Sequence, residues 1–69
     1  MNWHDIDDIA DALMEAHPEV DPLTVRFTNL RDSIAALSDW SDDIHLSNES
    51  KLEAVQMAWY ELWKDKHGV

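Results

Sequence analysis

The sequence predicts an all-α fold: mainly three helices, with one short extended segment between the first and the second. Three observations carry this expectation. Apolar residues recur at helical period in three separate stretches. Two prolines, Pro18 and Pro22, break the chain between the first and second of them. The chain of 69 residues has no cysteine, so packing of its 45% apolar residues, four tryptophans among them, must hold it without a disulfide or thiolate zinc staple. The order helix, extended segment, helix, helix is compatible with a compact three-helix or a winged-helix-like domain, read as a single domain over 1–69. Spacing alone does not choose between them.

The first helix is expected over about 5–17. Ile6, Ile9, Ala10 and Leu13 fall at i, i+3, i+4 and i+7 and make one apolar face. Asp5 is placed to cap it, Asp7 and Asp8 suit its positive end, and Pro18 stops it. Turning about 100° per residue, His4, Asp8, Asp11 and Glu15 align on the opposite side, flanked by Asp5 and Asp7. Like charges three and four residues apart destabilise a helix by roughly 0.2–0.5 kcal/mol a pair. Such a stripe is either tolerated as a solvated face or matched by a cationic partner. The helix dipole accounts for Asp7 and Asp8, but Asp11 and Glu15 lie too far along to feel it.

An extended segment is expected over 24–27, where Val25 and Phe27 point one way and Arg26 the other, pairing with a local carboxylate. Thr28 is the expected N-cap of a second helix over about 29–37, with Leu30, Ile34 and Leu37 inward and Ala35 and Ala36 small enough for close helix approach. The acidic loop that follows carries Asp39, Asp42 and Asp43 around Trp40, which is expected to anchor the loop to the core. Ser47 is the expected cap of a third helix over about 48–66, whose inner face is Leu52, Val55, Trp59 and Leu62. Lys64 and Lys66 suit its negative end, Gly68 ends it, and His67 is assigned to a frayed tail.

Charge narrows the function. Fifteen acids against five bases give a formal net charge of −10. Nucleic-acid binding depends on neutralising phosphates, so this balance speaks against DNA or RNA, and Glu49, Glu53 and Glu61 make the third helix repel them. Metal cations or a basic protein surface fit better, and self-repulsion favours a monomer. No run of eighteen apolar residues and no basic-then-apolar start is present, so a protein of the cytoplasm, off the membrane, is expected. No nucleophile motif or phosphate loop appears, so no enzyme activity is expected. Without thiolates the chain cannot hold an iron–sulfur cluster of its own. Asp8, Asp11 and Glu15 on one helix face could hold a divalent ion loosely, with water completing its shell. His4, one turn below Asp8, would suit Fe²⁺ better than Ca²⁺.

The run Asp21-Pro22-Leu23-Thr24-Val25-Arg26-Phe27-Thr28-Asn29-Leu30, preceded by Trp3-His4-Asp5 and an acidic helix ending at Pro18, resembles the IscX family of bacterial iron–sulfur cluster assembly proteins. So does Ser47-Asn48-Glu49-Ser50-Lys51-Leu52-Glu53-Ala54, followed by Trp59, and Asp42-Asp43 matches the family's acidic loop pair. The resemblance implies a modified winged-helix fold and an adaptor or regulator that binds a basic surface of the cysteine desulfurase, in competition with frataxin-type proteins and ferredoxin. It also implies weak binding of ferrous iron, with Asp5, Asp8, Asp11 and Glu15 standing where the family places carboxylates. Candidate partner-binding residues are then Asp8, Asp11 and Glu15 with Asp39, Asp42 and Asp43. Ile44 departs from the proline common after the acidic pair, and Trp63, Lys64 and Lys66 replace an acidic tail.

Overall fold

The computed structural model describes residues 1–68. Helix α1 spans Ile6–Ala16, α2 spans Phe27–Ala35 and α3 spans Glu49–His67, with 3-10 turns at Pro22–Thr24 and Ile44–Leu46. The fold is all-α, three helices with no strand among the described residues. Helix α1 packs chiefly against α3, and α2 and both turns close the remaining sides. Ile9, Ala10 and Leu13 of α1 meet Leu30 and Ile34 of α2 and Leu52, Val55 and Trp59 of α3 in one core, with Trp3 beneath them. Each fully buried Leu, Ile or Val contributes about 1.5–3 kcal/mol. Trp59 is buried with its indole N–H unpartnered, a cost of about 1–3 kcal/mol that the burial of so large a ring offsets.

The ends of the helices differ from the sequence expectation in instructive ways. Asp5 occupies the N-cap position of α1 but makes no cap bond; its carboxylate instead accepts the Asn2 N–H at 3.0 Å and fixes the preceding turn. The extended stretch is shorter than 24–27: Asp21 caps a 3-10 turn by accepting the Leu23 N–H, and only Val25 and Arg26 keep extended angles. Helix α2 therefore starts at Phe27, two residues early, with Arg26 rather than Thr28 at its N-cap. Ala35 and Ala36 are exposed, not pressed against a neighbouring helix. Asn48, not Ser47, caps α3, its side-chain oxygen accepting the Lys51 N–H at 2.8 Å. Gly68 closes α3 as expected, at a left-handed φ of 70° that suits glycine.

Two devices pin the parts between helices. Gln56 of α3 donates to the carbonyls of Pro22, at 2.9 Å, and Val25, at 3.4 Å, tying the first 3-10 turn to the long helix. His67 is helical, not frayed: its ring lies 4.6 Å from that of Trp63, and its Nε2 stands 3.1 Å from the Pro18 carbonyl oxygen. Arg26 is exposed and makes no ion pair with a carboxylate, since the only salt bridge among the described residues joins Lys64 to Glu61.

Candidate functional site

Helix α1 presents its acids outward because its apolar residues are spent on the core. Asp7, Asp8, Asp11 and Glu15 are exposed, and Asp5 is half-buried. Asp5, Asp8, Asp11 and Glu15 line one open groove of about 480 Å³ together with Ala12, Met1 and Asp39 of the middle loop. Asp7 and His4 lie outside it. The groove continues past Ala12 and Glu15 into a second hollow of about 540 Å³, between α1 and the turn after α2, lined by Ala16, Ala36, Leu37, Ser38 and Asp39. The five carboxylates of the first groove make no salt bridge among the described residues.

Asp39 reaches this groove because the loop is folded back onto the start of the chain. The Met1 amino nitrogen donates to the Asp39 carbonyl at 2.9 Å and to Ser41 Oγ at 3.2 Å, and the Ser41 N–H donates to the Met1 carbonyl at 2.9 Å. Trp3 Nε1 donates to the Asp43 carbonyl at 3.0 Å, and the rings of Trp3 and Trp40 meet edge to face at 4.8 Å. Trp40 is thus the expected anchor, although what it anchors on is another tryptophan. Lys51 of α3 closes the joint, its ammonium 5.9 Å from the Trp3 ring centroid and bonded to the Leu46 carbonyl at 3.1 Å.

The remaining loop acids are committed to this joint. Asp42 accepts the Asp43 N–H at 2.8 Å and the Trp3 N–H at 3.3 Å, and these two bonds hold its carboxyl below the ordinary carboxylate range. Asp43 accepts the His45 N–H at 2.9 Å and caps the second 3-10 turn. Of the six acids assigned to a partner, Asp8, Asp11, Glu15 and Asp39 share the groove, and Asp42 and Asp43 shape the loop that delivers Asp39. Sequence reasoning gave no role to Ala12 or Ala16 and assigned Leu37 to the inner face of the second helix; all three line the second hollow. The i, i+4 spacing of Ala12 and Ala16 beside the acidic stripe was the one available signal.

As an ion site the groove is loose. Among the described residues no three His, Asp or Glu side chains come close enough to share one metal ion. A resident, closed metal centre does not fit this donor set. No helix among the described residues is long and apolar enough to cross a membrane.

Comparison with known proteins bears on the whole arrangement. The family model described as iron–sulphur cluster assembly matches residues 1–64. The uncharacterized protein PA3808 of Pseudomonas aeruginosa is 46% identical over 61 residues, covering 88% of this chain and 92% of that protein. The family match takes in every residue that lines the acidic groove, so the groove lies within the matched region. The chain belongs to the iron–sulphur cluster assembly family, the IscX family that its two motifs resemble.

Proposed function

We propose that this protein is an acidic adaptor or regulator of iron–sulfur cluster assembly in the cytoplasm, docking through its α1 groove on a basic surface of the cysteine desulfurase. Competition there with a frataxin-type protein and with ferredoxin follows from the same reading. The observation that carries it is the gathering of Asp5, Asp8, Asp11, Glu15 and Asp39 on one groove that has no Lys or Arg in its lining, the Met1 ammonium there being bonded to the Asp39 carbonyl and the Ser41 hydroxyl. An acidic stripe that costs helix stability is accounted for when a partner's cations meet it. No reaction of its own is assigned to the chain.

Calorimetric titration against the cysteine desulfurase of the same organism tests this. Asp8→Lys with Asp11→Lys is expected to weaken binding by at least about tenfold, since exposed charge pairs act in concert on one face. Both side chains are exposed, so the fold survives the change, checked by circular dichroism. Unchanged binding would sink the assignment of the face.

Ferrous iron is proposed as a loosely held cargo of the same groove, taken by one or two carboxylates with water completing the shell. Anaerobic Fe²⁺ titration followed by NMR is expected to broaden Asp8, Asp11 and Glu15 first. Broadening that is uniform, or absent at millimolar iron, removes the iron role and leaves docking alone. Direct iron donation to the assembly machinery is the alternative that a positive result keeps open.

A further inference from the structure

The hollow that continues the acidic groove differs from it in kind. It is lined by Ala12 and Ala16 on α1 and by Ala36, Leu37 and Ser38 across from them, with Glu15 on the helix side, Asp39 on the loop side, and Met1, whose ammonium is bonded to the Asp39 carbonyl and the Ser41 hydroxyl. Alanine and leucine side chains thus stand between two carboxylates carried by separate elements. A trough of small side chains rimmed by acids suits a long cation whose stem is aliphatic. Arginine fits this better than lysine. Its guanidinium is weakly hydrated, and its planar fork can serve carboxylates on two walls at once.

We propose that the hollow between α1 and the turn after α2 is the anchor pocket of the docking face, receiving an arginine side chain of the partner. The aliphatic stem lies on Ala12, Ala16, Ala36 and Leu37, and the guanidinium meets Glu15 and Asp39. The exposed acids at Asp8 and Asp11 then steer the partner, while the hollow fixes its position. This rests on the docking reading above, and it adds the residue type recognised and the place of recognition.

The test fills the hollow without touching a charge. Ala16 and Ala36 are exposed, so Ala16→Phe and Ala36→Phe leave the core intact, which unchanged melting confirms. Against the desulfurase each is expected to weaken binding by about tenfold, the scale of one anchor residue. Equal binding by both variants overturns the pocket even if Asp8→Lys with Asp11→Lys abolishes docking. A partner-free arm separates the two claims: NMR titration with acetyl-Ala-Arg-Ala-amide and with its lysine counterpart. The arginine peptide is expected to shift the amides of Ala12, Ala16 and Leu37 more than the lysine peptide does, and Ala36→Phe to remove the difference. If those shifts appear but the desulfurase does not bind, the docking reading fails and the pocket stands. Shifts confined to Asp5–Asp11, or identical for the two peptides, overturn the pocket.

Discussion

Asp42 joins two segments that are far apart in sequence, and the joint depends on its charge. Its two oxygens accept the N–H groups of Asp43 and of Trp3, thirty-nine residues away, and the charges of Lys51 and His4 add to the pull on its pKa. Partial burial acts in the opposite sense, but the hydrogen bonds win and the value is lowered. A carboxyl lowered on folding stabilises the folded form fully above its unfolded value. That contribution disappears as pH falls through the lower, folded value. The Trp3–Asp42 contact is therefore expected to persist through pH 5 and to open only below about pH 4, where free carboxylates protonate. The Trp3 backbone N–H resonance reads this bond directly, and the Trp3 indole N–H, bonded to the Asp43 carbonyl, reports on the same joint. Asp42→Asn keeps one acceptor oxygen for two donors, so the joint is expected to be looser at every pH and to lose its acid transition. An unchanged acid midpoint in that variant would show that another group controls the joint.

At the scale of elements, what could be read from the sequence divides along physical lines. The three helices and their inward faces follow from period alone, because Ile9, Leu13, Leu30, Ile34, Leu52, Val55 and Trp59 all lie at the spacing their burial requires. Their first residues do not, because neighbouring side chains compete for the same orphan N–H groups. Ser47 and Asn48 are both good caps, and only the built backbone decides that Asn48 reaches Lys51. Asp5 gives its carboxylate to Asn2 instead of to the helix. The two motifs that mark the family prove to be devices of the fold: one forms the 3-10 turn that Gln56 grips, the other starts α3. The acids proposed for docking stand outside both. Those on α1 were legible because a helix fixes where every residue points. Asp39 entered as one more loop acid, and its place beside Glu15 depends on contacts across 38 to 40 positions, which no local pattern encodes.

At the scale of the molecule, one property acts on folding and on the proposed docking with opposite sign. Residues 1–25 carry seven Asp or Glu and no Lys or Arg, and all five bases follow them. The chain measures 34 × 21 × 17 Å, so neighbouring acids lie within a few screening lengths of one another at physiological salt, where that length is about 8 Å. Their mutual repulsion strains the free protein. Raising salt from about 0.1 M to 1 M shortens the screening length from about 10 Å to about 3 Å. If this relieves about 1 kcal/mol of repulsion, the melting temperature of a domain this small rises by about 4–8 °C. The same salt weakens attraction to a basic partner surface, chiefly by slowing association. Thermal melts and desulfurase binding measured across one salt series are therefore expected to run in opposite directions. Asp8→Lys with Asp11→Lys should flatten both slopes, because it removes part of the charge from which both arise. Binding that holds steady while the melting temperature rises would mean that the acidic face shapes the free protein only, and that docking uses another surface.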